Sequence, residues 1–524
     1  MNSTIAKFEK NASGFFGKIK EFCIKHKKLV WSIVLTALVF LCCMRQAELV
    51  TLHKYKIFMT ALGIGLTFIF ALSIFLLDRK KLILTYIVLG MFFGLVYMFM
   101  LPIFNVPDED THFISAYELS NEMMGVESSR DDVVMRKVDY ELADNHDRYD
   151  EQMYLDYFHA VFDGNDDETL MATTAPTLDY LYPYFFSSMG ISIARKLNMS
   201  PIALVTLGRL FNMIVAVLII ALAIYFMPFG KQIMVVIALS PKLIQQDMSL
   251  SYDSCFIPLS FLVTGLGFYL IYHEKGEKEN KIVLVLKYIL WIFAYIGMTL
   301  IKGHAYFAFI LLLFPYFRHR VKNKKKFDLI FTFLVIAVIV IGLIALPHTA
   351  FYNQKENFNT HFLQYGFTLQ DFIKNPSYFL EIVRNTVFIE LPMYCHNMLG
   401  AVIGHFTISL NGLVVDGFIL TVIASAIMNT GENKKLSNFE TFIAFLIAFI
   451  TICCTFAGML FGWTLQGAKM IDGIQGRYFI PVLTIELLMF YGRKIHIENL
   501  TVSKLVMFET VLQILTVEGV FGGY

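Results

Sequence analysis

The chain has 524 residues, of which 57% are hydrophobic and 16% are charged, with a mean hydropathy of +0.61. Soluble domains carry roughly 25% charged residues, so this composition excludes a soluble globular protein and indicates a polytopic membrane protein. The formal net charge is +1, and the basic and acidic residues are concentrated in different segments of the chain. Because the chain has no overall basic excess, we expect no nucleic-acid partner.

The apolar runs predict an all-α polytopic protein with about thirteen transmembrane helices. Residues 1–28 are basic and mixed, which predicts a cytoplasmic N-terminal segment and not a cleaved signal. Residues 29–524 are expected to form a single transmembrane domain. The predicted spans are 29–44, 57–77, 82–104, 202–227, 231–246, 254–272, 287–300, 305–317, 327–346, 413–428, 439–461, 478–491 and 506–517.

Two large loops are predicted on the outer side, over about 105–200 and 347–411. Residues 105–178 contain nineteen Asp or Glu against four Lys or Arg, whereas the basic clusters fall between other spans. Since cytoplasmic loops carry an excess of Lys and Arg, this sorting places the acidic loop outside. Apolar and aromatic residues recur in both loops, so we expect short interfacial helices there.

An acidic motif, Asn105-Val106-Pro107-Asp108-Glu109-Asp110-Thr111-His112, follows the third predicted span directly. Pro107 disfavours helix at the preceding residue and marks the end of the span. Clustered carboxylates raise one another's pKa, which suits general base catalysis or metal binding. A solvated loop that happens to be acidic is the alternative interpretation of the motif on its own.

Further polar side chains lie at the predicted outer ends of separate helices. Ionisable residues at these depths usually line a cavity or a bundle interior, so they predict a shared outward-facing cavity. Arg suits bidentate phosphate binding and Lys supplies a point charge. These residues are Arg209, Lys242, Gln245, Gln246, Asp247, Ser251, Tyr252, Asp253, Lys302, His304, Gln475, Arg477 and Tyr478.

Three motifs carry a family resemblance over nearly the whole chain. They are Val106-Pro107-Asp108-Glu109-Asp110-Thr111-His112-Phe113, Ser251-Tyr252-Asp253 and Gln475-Gly476-Arg477-Tyr478-Phe479-Ile480-Pro481. With the two large loops, they resemble the GT-C superfamily of glycosyltransferases that use polyprenyl-phosphate sugars, and within it a bacterial branch of predicted membrane proteins. Asp110 is an acid additional to that branch's pattern.

The resemblance implies an inverting sugar transfer from a polyprenyl-phosphate donor to an acceptor outside the bacterial cytoplasmic membrane. By motif position, the base or metal ligand maps to Asp108 or Glu109, and the residue that holds the donor phosphate maps to Arg477. A divalent cation, Mg²⁺ or Mn²⁺, is a candidate ligand of the two acids, and the sequence leaves metal dependence open. The expected acceptor is a cell-envelope polysaccharide or a teichoic-acid-like polymer.

The candidate site groups these residues by role. The catalytic set is Asp108, Glu109 and His112; the donor-phosphate set is Arg477, Lys302, Arg209 and Tyr478; the substrate-binding set is Asp253, Tyr252, Gln475 and His304.

Three other functions compete with glycosyl transfer. A transporter or flippase would favour inverted repeats and broken midplane helices, and the sequence reveals neither. A polymerase or ligase of polyprenyl-linked glycans would use closely related chemistry. In a non-catalytic scaffold, the acidic motif would be dispensable.

Overall fold

The protein is represented by a computed structural model that describes residues 30–31, 33–39, 41, 53–144, 170–173, 181–273, 280–345, 366–431, 434–493 and 497–522. The chain divides into two compact units, residues 1–88 and 89–524, with a boundary inside the helix Leu82–Met100. The predicted N-terminal segment, 1–28, lies outside the described residues.

The described residues are mostly helical, as predicted. From residue 53, the first nine α-helices are α1 His53–Asp78, α2 Leu82–Met100, α3 Glu109–Met124, α4 Lys137–Asp144, α5 Phe185–Lys196, α6 Pro201–Phe226, α7 Lys231–Ala238, α8 Pro241–Asp247 and α9 Asp253–Tyr272. The next ten are α10 Lys281–Tyr306, α11 Leu313–Arg320, α12 Lys324–Ala345, α13 Leu369–Lys374, α14 Pro376–Asn385, α15 Leu391–Leu399, α16 Gly412–Ile427, α17 Asn438–Gly462, α18 Ile480–Leu488 and α19 Val502–Gly522.

Short segments of other structure complete the description. The 3₁₀ segments are Tyr182–Tyr184, Phe307–Leu312 and Gly476–Phe479, and Thr386–Glu390 is π-helical. Two antiparallel ladders, absent from the all-α prediction, pair β1 Val133–Arg136 with β2 Leu170–Thr173 and β3 Val402–Ile403 with β4 Ile408–Ser409.

Six helices in the described part of the chain are long and apolar enough to cross a membrane, so the prediction of a membrane-embedded helical protein is confirmed. They are Met59–Asp78, Leu82–Met100, Pro201–Phe226, Asp253–Tyr272, Lys281–Gly303 and Asn438–Gly462. Gly412–Ile427 is a shorter apolar helix. The total of about thirteen spans stays a prediction.

The fifth predicted span, 231–246, is not one continuous helix. It consists of α7 and α8, which are separated at Leu239 and Ser240. Pro241 is the first residue of α8 and lacks the backbone N–H that would continue α7. The side chain of Gln513 donates a hydrogen bond to the carbonyl of Leu239, so the break is stabilised by α19.

The helices differ in how far the protein itself encloses them. In α9, 83% of the most apolar stretch is buried inside the protein, whereas in α10 the share is 17%. The side chains of α9 therefore form the centre of the bundle, and those of α10 face outward, where lipid would contact them. Helix α10 also bends at Lys302, whose φ of −137° and ψ of 45° are not helical.

The first loop segment packs on the bundle through an apolar cluster. Phe113 and Tyr117 of α3 are fully buried, one helical turn apart, against residues of α5 and α6 such as Ile191 and Leu204. Burying such a side chain contributes about 1.5–3 kcal/mol. This contact fixes the first turn of α3, and with it the acidic motif, to the ends of the helices.

Candidate functional site

Four separate segments meet at the candidate site. They are the start of α3, the start of α9, the bend in α10 and the 3₁₀ segment Gly476–Phe479. The structure places seven of the eleven predicted site residues together there: Asp108, His112, Tyr252, Asp253, Lys302, Arg477 and Tyr478. These residues come from all three sequence motifs and from the bend of α10.

Arg477 is the cation between the two acids of the site. Its Nε lies 3.2 Å from Oδ2 of Asp253, and its Nη2 lies 3.6 Å from Oδ2 of Asp108. The side chain is only 6% exposed, yet within the described residues its Nε and Nη1 make no hydrogen bond. Buried guanidinium donors normally have partners, so this residue retains capacity to bind an anion.

Lys302 is paired with Asp253 at the bend of α10. Its Nζ lies 2.5 Å from Oδ1 of Asp253 and 4.7–5.1 Å from the centres of the Tyr252, Phe256 and Tyr478 rings. The non-helical backbone of Lys302 directs this side chain to the first residue of α9. Asp253 thus neutralises one cation and orients a second, while the rings shield the pair from water.

Asp108 is the accessible acid of the motif. Its side chain is 63% exposed, and its backbone adopts a left-handed conformation with φ of 63° and ψ of 15° at the N-cap of α3. Asp tolerates this conformation better than most residues, because its short polar side chain can hydrogen-bond locally. The turn therefore presents a carboxylate to solvent beside the guanidinium of Arg477.

Glu109 faces the opposite way and is fully enclosed. Its two carboxylate oxygens accept hydrogen bonds from Nε and Nη2 of Arg209 at 2.9 and 2.5 Å, and Oε1 also accepts one from the backbone N–H of Leu250. Arg209 in turn donates to the carbonyls of Leu101 and Pro102 at 2.8 Å.

The Glu109–Arg209 pair changes two of the predicted roles. Neither side chain is exposed to any measurable extent, and each is occupied by the other. The geometry does not support Glu109 as a base or metal ligand, nor Arg209 as a contact to the donor phosphate. Instead, the pair ties the loop that carries Asp108 to α6 and to the segment before α9.

His112 lies behind the acids, one turn into α3. Its Nδ1 is 2.8 Å from the hydroxyl of Tyr184, and its ring packs edge-on against Tyr252 at 4.7 Å. Burial lowers the pKa of His112 to about 3, although the charge of Asp253 opposes this shift. The imidazole is therefore neutral near pH 7, which suits a positioning residue better than a proton donor.

Two predicted residues are not shown to join the site. Gln475 is half-buried next to Gly476, and its backbone carbonyl accepts a hydrogen bond from Tyr478. The side chain of His304 lies outside the described residues.

Sequence reasoning also missed two residues that position the site. Gly476 lies so close to α15 that an added Cβ would collide with the backbone of Tyr394 and Met398. The hydroxyl of Tyr306 donates to the carbonyl of Tyr478 at 2.7 Å. Gly476 could have been noticed because it directly precedes the candidate Arg477. No sequence pattern indicated Tyr306.

The arrangement does not fit the expected divalent cation. Both oxygens of Glu109 are occupied by protein donors, which leaves Asp108 as the accessible acid of the pair. Among the residues that the structure describes, no three or more His, Cys, Asp or Glu side chains are grouped to hold a metal ion. Mg²⁺ and Mn²⁺ prefer several oxygen ligands, and one carboxylate beside a guanidinium is a poor match.

Comparison with known proteins identifies a family for this chain. No curated protein and no solved structure matches it. A family model described as "Predicted membrane protein (DUF2142)" matches residues 91–485. This range contains every residue of the candidate site and more than half of the chain, so the protein belongs to the DUF2142 family of predicted membrane proteins.

Proposed function

We propose that the protein is an inverting glycosyltransferase of the GT-C type that moves a sugar from a polyprenyl-phosphate donor to a cell-envelope glycan. The observation that carries this proposal is the pairing of a buried guanidinium, which has donors left over, with an exposed carboxylate 3.6 Å away. In the proposed reaction a donor phosphate replaces Asp108 as the partner of Arg477, which frees the carboxylate to accept a proton.

In the proposed reaction, Asp108 accepts the proton of an acceptor hydroxyl as its oxygen attacks the anomeric carbon. A new C–O bond forms there while the bond from that carbon to the donor phosphate oxygen breaks. The electron pair leaves with the polyprenyl phosphate, which departs as an anion. Inversion requires the base and the leaving group on opposite faces of the carbon, so Asp108 and Arg477 must move apart from their 3.6 Å pair when the sugar binds between them.

Arg477 is the proposed ligand of that phosphate. Its planar fork matches two phosphate oxygens, and its Nη1, which makes no hydrogen bond to any residue that the structure describes, can bind one of them. A phosphate anion leaves without being protonated, so a cation can take the place of a general acid. Lys302 is already neutralised by Asp253, so we assign it to orienting that acid more than to direct phosphate binding.

A lipid-linked donor agrees with the surroundings of the site. Arg477 lies just before α18, and Asp253 and Lys302 lie at the ends of two helices that can cross a membrane. A polyprenyl phosphate keeps its chain in the bilayer and its phosphate at the depth of such helix ends. We propose that these ends face the outside of the bacterial cytoplasmic membrane, with the N-terminus inside.

One structural feature favours the alternative function of a transporter, but the other observations support glycosyl transfer better. The break between α7 and α8 is a feature that transporters often have. However, the carbonyl of Leu239 at the break is occupied by Gln513, and the paired charges of the site lie at helix ends. A polymerase or ligase of lipid-linked glycans would share the same chemistry, and only its products would distinguish it.

The proposal is tested by assaying the purified protein with polyprenyl-phosphate sugars and isolated cell-envelope glycans. Loss of a catalytic base typically lowers the rate by ~10²–10⁴, so Asp108→Asn should lower turnover by that factor while the protein stays folded. Arg477→Ala should raise the donor KM by roughly ten- to a hundredfold, and Arg477→Lys should restore part of the affinity.

Asp110→Asn is the matched control, because Asp110 is a neighbouring acid that has no ion pair in the structure's described part. We expect it to have a much smaller effect than Asp108→Asn. Folded Asp108→Asn protein with wild-type turnover would remove the proposed base. Substrate flux into proteoliposomes without any transfer would favour the transporter.

A further inference from the structure

A tight turn from the second loop segment is hydrogen-bonded to the chain that leads to Asp108. The strands β3 and β4 pair Val402 with Ser409 and Ile403 with Ile408, so residues 404–407 form the connecting turn. At its tip, His405, Phe406 and Thr407 are exposed, and half of the Phe406 side chain is accessible. Binding residues are found disproportionately on loops that a rigid scaffold positions, so this exposed ring is a candidate contact for a ligand.

The backbone of this turn is strained and held in place by other segments. Phe406 has a φ of 60°, which is uncommon for a bulky residue. The amide of Gln245 accepts from the N–H of Gly404 at 3.1 Å and donates to its carbonyl at 3.3 Å. Nζ of Lys242 donates to the carbonyl of Val402 at 2.9 Å. Two buried polar side chains of α8 therefore fix the turn.

The first loop segment holds the same turn. Oδ1 of Asn105 accepts from the N–H of His405 at 2.8 Å and from Oγ1 of Thr407 at 3.3 Å. Gly404 is required there, because a Cβ would collide with this oxygen. Since Asn105 precedes Asp108 by three residues, the turn is fixed directly to the chain that presents the proposed base.

Lys242 lies close to the aromatic ring of the turn. Its Nζ lies 5.9 Å from the centre of the Phe406 ring. The turn is therefore held by α8 on one side and, through Asn105, by the chain that carries Asp108 on the other. The second ring of the turn, His405, lies 6.0 Å from that of Phe406.

We infer that residues 404–407 form the acceptor subsite, in which Phe406 stacks on a pyranose ring of the glycan that receives the sugar. One face of a pyranose presents C–H groups to the electron-rich face of an aromatic ring, and the hydroxyls at its edge suit polar neighbours such as His405 and Thr407. This inference rests on the proposed function and narrows the class of acceptor. Of the two acceptors considered, it favours a polysaccharide, which consists of sugar rings, over a teichoic-acid-like polymer.

The kinetic test compares Phe406→Ala and Phe406→Trp with wild-type protein at varied acceptor and donor concentrations. We expect the alanine variant to raise the acceptor KM about five- to tenfold with the donor KM unchanged, and the tryptophan variant to restore it. Phe388→Ala is the matched control, because Phe388 is another exposed phenylalanine of the same loop segment. An acceptor KM within twofold of wild type in Phe406→Ala would overturn the inference.

A binding test separates failure of this inference from failure of the proposed function. Saturation-transfer NMR would measure contact of the purified protein with methyl β-glucopyranoside, methyl β-galactopyranoside and glycerol phosphate. Contact with the pyranosides that is lost in Phe406→Ala supports the subsite even if no donor is turned over. Saturation transfer to glycerol phosphate as strong as that to the pyranosides would contradict the subsite. So would a loss of pyranoside contact in Phe388→Ala equal to that in Phe406→Ala. Either result would indicate that Phe406 is an aromatic residue of the membrane interface.

Discussion

At the scale of single residues, two neighbouring acids of one motif have opposite environments. Asp108 is the N-cap of α3 and is exposed, whereas Glu109 begins the helix and is enclosed with Arg209. A buried ion pair is weak support for stability as a whole, but removing one partner leaves an unpaired buried charge. We therefore expect the Glu109–Arg209 pair to affect stability mainly when one partner is removed and the other charge is left buried and unpaired.

We predict that Glu109→Gln destabilises the protein by about 3–5 kcal/mol, because the fully enclosed guanidinium of Arg209 would lose its counter-charge. The double variant Glu109→Leu with Arg209→Met should be less destabilised than the two single changes together. Thermal unfolding and recovery of monodisperse protein measure both effects, with Asp110→Asn as the control. A stable Glu109→Gln protein that has lost transfer would instead make Glu109 catalytic.

At the scale of elements, the 3₁₀ segment Gly476–Phe479 positions the anion-binding residue. It is wedged between α15, which touches Gly476, and Tyr306 at the end of α10, which holds the carbonyl of Tyr478. Pro481 is the second residue of α18, in the first turn of the helix, where a missing backbone N–H leaves no donor unsatisfied. The position of Arg477 is thus set by its neighbours, through the close contact of Gly476 with the backbone of α15 and the hydrogen bond to the carbonyl of Tyr478.

We predict that Gly476→Ala displaces Arg477 and weakens donor binding by roughly tenfold or more, because its Cβ would overlap the backbone of α15 and backbone cannot move aside cheaply. Gly412→Ala is the control, since an added Cβ there meets no atom within 4 Å. Donor titration and turnover of both folded variants give the comparison. Equal donor affinity in the two variants would show that the contact is not needed.

At the scale of the whole molecule, the distribution of charge predicts which side of the membrane the site faces. Residues 105–178 are acidic, whereas the turn before α12 and the first turn of that helix carry exposed Lys322, Lys324, Lys325 and Lys326. Cytoplasmic segments attract the basic residues, so the acidic loop and the site should lie outside.

We predict that a cysteine introduced at exposed Ser129 reacts with a membrane-impermeant thiol reagent in intact cells, in a background without the native cysteines. A cysteine at Lys325 should react only after the cells are permeabilised. These two positions control for one another, since both are exposed in the structure. The reverse pattern of labelling would place the site in the cytoplasm and make an extracytoplasmic acceptor untenable.

Much of the fold and the composition of the site could be predicted from local sequence. Helices such as α6, α9 and α17 follow from runs of apolar residues, because a membrane-spanning helix must bury its polar backbone in an apolar surface of sufficient length. Asp108, Asp253 and Arg477 could be named because their motifs stand at the ends of separate apolar runs, where acids and cations at one depth can share a cavity.

The sequence by itself therefore determined the membrane class, most long helices and a set of polar residues that had to meet. Only the tertiary structure decided which residues pair. Glu109 and Arg209 are a hundred residues apart, and Asn105 and His405 are three hundred apart, so their contacts depend on helix packing that no local pattern records. The break between α7 and α8 and the strained turn at Phe406 depend in the same way on distant donors and acceptors, which stabilise backbone conformations that the local residues would not adopt alone.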